Sequence, residues 1–230
     1  MVNRWLITGG CGFVGTSLIA RILKDQPDVH ICILDNLSVG TTDDLAEVCS
    51  FDEVSENTIP DKPGVFLLTG DIRNAELCLA ATIGIGCIVH LAANTGVGPS
   101  VEDPRADMES NIIGTFNMLE GARLNGVKRF VFASSGAPAG TVEPPIHEEL
   151  APHPVSPYGA SKLAGEGYCS SYFQTFGINT VSLRFGNVYG QDLNISQVWL
   201  RNSYARRWVV KFVRSMEMAL KQGILSTLMI

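Results

Sequence analysis

The chain has 230 residues, 46% of them apolar and 17% charged, enough to bury the core of one good-sized domain, or of one domain and part of a second. A formal net charge of −6, with no basic block and no aromatic–basic interleaving, argues against a nucleic-acid binder. No uninterrupted apolar run reaches membrane-spanning length, the best stretch being broken by Gly84, Gly86 and His90, and "MVNRWLIT" enters an apolar strand with no leader pattern.

From the start, strand-like apolar runs alternate with helix-period segments. "RWLIT" (4–8) is followed by helical "FVGTSLIARILKD" (13–25) and the run "VHICILD" (29–35). The stretch 40–63 is acidic, holds Pro60 and Pro63, and reads as an irregular excursion. "GVFLLTG" (64–70) precedes a short helix from about Asn74, and "CIVHLA" (87–92) precedes a longer helix over about 105–125. "KRFVFAS" (128–134), a helix carrying Tyr158 and "INTVSLR" (178–184) complete six units. The strands are continuous in polarity rather than alternating, as expected when helices cover both faces. The class predicted is α/β, a doubly wound parallel sheet of the Rossmann kind, with ligands at the carboxyl ends of the strands. In the tail, Trp208, Val209, Phe212, Val213, Met216 and Leu220 recur at helical spacing, which predicts an amphipathic helix over 207–222. "GILSTLMI" (223–230) then reads as a strand that ends before its partners exist. The six cysteines form no CxxC pair and read as reduced thiols of a cytoplasmic protein, and the four histidines show no metal spacing.

"TGGCGFVG" directly follows the first strand and fits glycine patterns through Gly9, Gly10, Gly12 and Gly15. Such glycines permit a tight turn and let backbone amides at a helix N-terminus approach a pyrophosphate. Asp35 ends the next strand 20 residues after Gly15, the spacing at which a carboxylate takes the adenosine ribose hydroxyls. No arginine within "DNLSVG" offsets that charge, so NAD is expected over NADP. Farther on, "SPYGASKLAGEG" (156–167) places Tyr158 and Lys162 four residues apart, on one face of a helix. An ammonium about 5 Å from a phenol contributes roughly 3 kcal/mol toward its ionisation at an effective dielectric near 20. Lys162 is therefore expected to lower the Tyr158 pKa, and Ser135 to orient the reacting oxygen.

With these residues in place, the chain resembles an extended short-chain dehydrogenase/reductase of the NAD-dependent epimerase/dehydratase family, nearest the UDP-glucose 4-epimerase group. The resemblance covers about residues 3–190 and rests on "TGGCGFVG", "LDNLSVG", "GDIRN", "HLAA", "VEDP", "NIIGT", "FVFASS", "PYGASK" and "LRFGNVYG". It implies an NAD-binding domain over 1–190 and a fragment of a substrate domain over 191–230. It implies that Gly9, Gly12, Phe13, Val14 and Gly15 lie under the pyrophosphate, and that Asp35, Asn36, Leu37, Ser38 and Gly40 line the adenosine ribose. Asp71 and Ile72 would meet the adenine, and Leu91, Ala92, Ala93 and Thr95 would run past the nicotinamide side. Ser135, Tyr158 and Lys162 would be catalytic, with Tyr158 and Lys162 also touching the cofactor. Ser135 and Asn187 would touch a nucleotide-sugar. The resemblance also implies a homodimer built on the helices at about 105–125 and 157–176.

Three positions depart from the family pattern. Thr95 stands where a lysine is frequent, and Ala139 stands where a tyrosine is common. After Gly190 the match weakens, and the chain ends at Ile230, short of a full substrate domain. Dehydratases of the family place an acidic pair after the serine or threonine, whereas Gly136 and Ala137 stand here. The expected reaction is therefore C4 epimerisation of a nucleotide-sugar through a transient 4-keto intermediate. Two alternatives stay open: a truncated NAD-binding protein with little turnover, and another NAD-linked nucleotide-sugar reductase.

Overall fold

A computed structural model describes residues 4–55, 59–143, 147–186 and 226–229. The first part of the chain runs β1 (Arg4–Thr8), α1 (Phe13–Asp25), β2 (His30–Asp35), α2 (Thr42–Ala46), β3 (Asp52–Val54) and β4 (Gly64–Thr69). There follow α3 (Ala75–Ala81), β5 (Cys87–His90), α4 (Val97–Glu102), α5 (Pro104–Met108), a π-helical turn (Glu109–Ile113) and α6 (Gly114–Leu124). The last described elements are β6 (Arg129–Ser135), α7 (Pro157–Phe176), β7 (Asn179–Phe185) and β8 (Ser226–Met229).

All pairings are parallel, in the order β3-β4-β2-β1-β5-β6-β7-β8. From β1 the chain winds outward to β2 and β4, then returns and winds the other way from β5. The switch point lies between β1 and β5, at whose carboxyl ends open α/β sheets bind their ligands. Because successive strand residues face opposite sides, each run feeds two cores. Ile7, Ile31, Ile33, Leu67 and Val89 meet Leu18, Ile19 and Ile22 of α1 on one side. Leu6, Leu34, Ile88, Phe130 and Phe132 meet α3, α6 and α7 on the other, through Leu77, Met118, Leu119 and Cys169. Two buried faces explain why the strands carry no polar alternation.

Two expectations need correction, and one gains detail. The stretch 40–63 is not wholly irregular. Thr41 and Asp44 form a reciprocal capping box that starts α2, and β3 adds an edge strand to β4. Asp52 and Glu53 are exposed, so this short strand lacks the apolar signature that marks the others. The helix expected over 105–125 is present: Asp103 caps it ahead of Pro104, and the backbone stays helical from α5 through the π turn into α6, which ends at Leu124. The strand read in 223–230 does have a partner, since Ser226–Met229 pairs with β7 from Val181 to Arg184. The outer edge of β7 supplies the hydrogen-bonding groups that the sequence reading assigned to later residues. The helix expected over 207–222 lies outside the described residues.

Candidate active site

The turn after β1 is built by close backbone contacts. Gly9 has φ +68°, and a Cβ there would lie 2.8 Å from the Ala92 nitrogen. At Gly15 a Cβ would stand 2.5 Å from the Gly9 carbonyl oxygen, so α1 can abut the turn only without one. Gly12 caps α1 with no side-chain hydrogen bond, and a Cβ on it would meet only the Gly9 oxygen, at 3.3 Å. The turn is therefore tight inside and open outside, where Phe13 and Val14 begin the helix, which is the shape a pyrophosphate cradle requires.

Asp35 is buried at the end of β2. Its Oδ2 accepts the Cys11 N–H and its Oδ1 the Leu37 N–H, both at 2.9 Å, so one carboxylate joins the glycine turn to the next loop. Leu37 is held at φ +57°, a left-handed conformation rare for its residue type and stabilised here by that bond. Asn36 accepts the Ser38 N–H and donates to Asp71 Oδ2 at 3.1 Å. Arg73 grips Asp71 from the same loop, and its hydrogen bonds hold that carboxyl down at about 2 against the opposing effect of burial. The fold thus brings an arginine beside Asn36, which the spacing within "DNLSVG" did not reveal, but commits it to Asp71. Ile72 turns its side chain into the core. Gly40 is buried against the Cys11 carbonyl, and Ser38 is exposed.

A buried polar chain ties the turn after β5 to β1. Ala92 N–H donates to Thr8 Oγ1 at 3.1 Å, and Thr8 Oγ1 lies 2.7 Å from His90 Nδ1. On the far side His90 Nε2 lies 3.1 Å from Thr115 Oγ1, which donates to the Asn111 carbonyl at 2.7 Å. With the Thr115 proton so placed, Nε2 donates, and in the neutral imidazole Nδ1 then accepts from Thr8. Burial, aided by the Lys162 charge, pushes His90 down to about 3. Asn111, presented by the π turn, pairs with both backbone groups of Asn94, taking its N–H at 2.8 Å and donating to its carbonyl at 2.9 Å. It also donates to Asp107 and to Ser161 of α7. Leu91, Ala92 and Ala93 are half-buried along this turn, and Thr95 is exposed.

Ser156 caps α7 through the Gly159 N–H, Pro157 occupies the first turn, and Ser100 of α4 accepts the Tyr158 N–H at 3.1 Å. These contacts set the helix start that carries Tyr158. The Ser135 side chain, at the end of β6, lies beside the phenol and favours its ionised form. Lys162 Nζ stands 5.8 Å from the centre of the Tyr158 ring and donates to the Ala133 carbonyl at 2.9 Å. Ser135, Tyr158 and Lys162 are thus brought together. The expectation that Lys162 lowers the phenol is not met: burial raises Tyr158, Asp107 adds to the rise, and only the Ser135 side chain opposes it. Burial also pulls Lys162 down to about 8, against the holding charge of Asp107. Asn187 lies outside the described residues.

Sequence reasoning named "HLAA" and "NIIGT" but assigned no task to His90 or Asn111, and it missed Ser100, Asp107, Ser134, Glu166 and Arg184. The π turn carries no simple periodicity that would expose Asn111. Glu166 shows a faint signal, a carboxylate one turn beyond Lys162 on a face that otherwise meets the sheet.

A doubly wound sheet with a glycine turn at its switch point defines the class: a dinucleotide-binding α/β fold. The chain belongs to the NAD dependent epimerase/dehydratase family, whose model matches residues 5–220. It is 35% identical over 190 residues to a UDP-glucose 4-epimerase of Mycolicibacterium smegmatis, covering 81% of this chain and 56% of that protein. It is 29% identical over 192 residues to a dTDP-glucose 4,6-dehydratase of Mycobacterium tuberculosis, covering 81% of this chain and 54% of that one. Among solved structures, the Thermus thermophilus UDP-glucose 4-epimerase complex with NAD superposes with a TM-score of 0.70 at 38% identity, over 82% of this chain and 57% of that one. The chain spans about half the length of the curated relatives it matches. Among the described residues no helix is long and apolar enough to cross a membrane, and no cluster could hold a metal ion.

Proposed function

We propose that the chain binds NAD and a nucleotide-sugar of the UDP-glucose/UDP-galactose type, and inverts the sugar at C4 by transient oxidation to a 4-keto intermediate. The observation that carries this reading is the convergence of Ser135, Tyr158 and Lys162 at the carboxyl end of β6, with Gly136 and Ala137, not carboxylates, following the serine. NAD fits the turn: Gly12 leaves its outer side open, α1 starts without a side-chain cap, and Asp35 is fixed beside it. Phe13, Val14 and Gly15 would hold the pyrophosphate, Asp35 to Gly40 with Asp71 and Ile72 the adenosine, and Leu91 to Ala93 with Thr95 the nicotinamide half. When bound, NAD accepts a hydride from the sugar and returns it.

The chain's own residues handle the proton and the orientation. Tyr158 takes the proton of the C4 hydroxyl and gives it back to the keto oxygen, while Ser135 donates a hydrogen bond to that oxygen. Lys162 has an ammonium held by the Ala133 carbonyl, and its role is to keep positive charge beside the phenol and to hold the cofactor ribose. With no acid at 136 or 137 to help expel water from the keto sugar, return of the hydride is the favoured exit. Asn187 is proposed as a sugar-nucleotide contact. The proposed division places the NAD-binding unit in 1–190 and sugar-binding residues in 191–230, where 226–229 joins the sheet.

We also propose a homodimer through α6 and α7, supported by exposed Phe116, Leu124, Tyr168 and Phe176, and a cytoplasmic location, supported by six free cysteines. The test is to incubate the purified chain with UDP-glucose and, separately, with dTDP-glucose, and to separate the products. UDP-galactose formation supports the reading. A 4-keto-6-deoxy product would make the chain a dehydratase, and no product from either would leave an NAD-binding protein. Sedimentation at micromolar concentration tests the dimer, which a monomer alone would refute.

A further inference from the structure

Three consecutive residues at the end of β6 each meet a different turn of α7. The Ala133 carbonyl accepts from Lys162 Nζ at 2.9 Å, the Ser134 hydroxyl donates to Glu166 Oε1 at 2.5 Å, and the Ser135 side chain lies beside the Tyr158 phenol. Tyr158, Lys162 and Glu166 follow one another at four-residue spacing, so they form one stripe along the helix. The helix comes this close because Gly165 has no side chain: a Cβ there would lie 2.4 Å from Phe132 Cζ.

The middle contact is the one the reaction does not use. Glu166 and Arg184 are a buried ion pair, with side chains 9% and 6% exposed. Arg184 grips the carboxylate with two parallel bonds, Nε to Oε1 at 2.8 Å and Nη2 to Oε2 at 2.7 Å. This planar two-point grip leaves the carboxylate no rotational freedom. Arg184 sits on β7 directly opposite Ser134 in the β6–β7 register. One carboxylate therefore ties the helix, the catalytic strand and its neighbour at the level of Ser134. A desolvated ion pair gives little net stability against an apolar substitute, so its placement one residue from Ser135 calls for another explanation.

We propose that Glu166 and Arg184 are positioning residues: through the Ser134 hydroxyl, their ion pair fixes the end of β6 and so holds Ser135 against Tyr158. This rests on the reading of Ser135 and Tyr158 as the proton-handling pair. Glu166 touches neither the phenol nor Ser135 and acts through the strand.

Removing either charge strands the other in the interior and endangers folding, so the informative variant is Ser134→Ala, which leaves the ion pair whole. The readout is fluorine NMR of the chain labelled with meta-fluorotyrosine, in which the resonance missing from Tyr158→Phe is that of Tyr158. Its titration is followed with Asp107, the charged group that bears on the phenol, and the neighbouring Lys162 both left in place. Ser134→Ala and Ser135→Ala are each expected to move the Tyr158 midpoint upward, with the double variant moving no further than Ser135→Ala alone. Ser134→Thr, which keeps the hydroxyl, restores the wild-type midpoint. With UDP-glucose as substrate, Ser134→Ala lowers kcat about tenfold and leaves KM and NAD occupancy unchanged. A midpoint unmoved by Ser134→Ala, or additive shifts in the double variant, overturns the proposal. A midpoint unmoved by Ser135→Ala overturns the proposal and the active-site reading together. Should the wild-type chain turn over no sugar, the proposed reaction fails, and the titration still decides the positioning role.

Discussion

Around Gly9, Gly15 and Asp35 the candidate site is made of backbone: a turn without side chains, a bare helix start, and one carboxylate binding two amides. Around Tyr158 it is made of side chains held by other side chains, with Ser100, Asp107, Asn111, Ser135, Lys162 and Glu166 in mutual contact or in each other's field. The first half, the proposed cofactor side, is shaped by close backbone contacts and tolerates little added volume. The second half is a low-dielectric polar assembly, in which each group's charge state depends on its neighbours. The contrast predicts different failure modes: cofactor loss on one side, and loss of chemistry with the cofactor retained on the other.

The largest effect is expected at the phenol. Tyr158→Phe removes one oxygen and disturbs no backbone, so any epimerisation should fall about a thousandfold. Bound NAD, measured by releasing it from the denatured protein, should persist. A variant that keeps most of its rate removes Tyr158 from the chemistry and erases the proposed division of labour.

Next is His90, which tests whether the polar half limits stability in acid. The folded chain holds this imidazole neutral down to about pH 3, while the unfolded chain protonates it near 6.5. Between those values the unfolded state binds the extra proton, so stability is retained above about pH 6.5 and declines as pH falls toward 3. At pH 4.5 this residue alone should cost about 2–3 kcal/mol relative to neutral pH. Urea denaturation of wild type and His90→Gln checks it. The variant is expected to be weaker at pH 7, having lost the bridge between Thr8 and Thr115, but flatter across the acid range. Parallel declines in the two proteins would show that other groups govern acid unfolding.

The two halves also differ in how far the sequence disclosed them. Glycine spacing and the distance to Asp35 are local patterns, so the tight turn after β1 and the carboxylate that ends β2 were legible in the sequence. The strands were legible too, because both faces of the sheet are buried and each strand is an unbroken apolar run. Tyr158 and Lys162 were visible as neighbours on one helix, but their electrostatics were not. The phenol rises because it is buried beside Asp107, more than fifty positions away in sequence, and Lys162 is turned to the Ala133 carbonyl. Likewise the partnership of Ser134, Glu166 and Arg184 exists only once β6, α7 and β7 are assembled. β3 escaped notice for another reason, since a short polar edge strand has no periodicity to read.

A smaller effect is expected at Gly15→Ala. The added methyl would stand 2.5 Å from the Gly9 oxygen and 2.6 Å from the Gly10 Cα, both backbone atoms that cannot swing aside. Pushing α1 off the turn should lower stability by about 1–3 kcal/mol and weaken NAD binding, with the Tyr158 resonance unchanged. Calorimetric titration with NAD is the measurement. Unchanged affinity would mean that the turn is not the pyrophosphate site.

The smallest effect separates charge from geometry at Asp35. Its carboxylate ties Cys11 to Leu37 and, in the proposed complex, faces the adenosine ribose. A 2′-phosphate there meets a like charge, and Arg73, which would otherwise offset it, is engaged with Asp71. Asp35→Asn keeps an acceptor for one of the two amides and removes the charge. Asp35→Ala removes both and frees Leu37 from its left-handed turn. The Asn variant should bind NAD somewhat less well and NADP better, narrowing the preference about tenfold. The Ala variant should lose affinity for both, because the loop itself loosens. If the ratio of NAD to NADP affinities is the same in wild type and Asp35→Asn, the preference does not arise from this charge. The adenosine half would then discriminate by shape alone, as the glycine turn does.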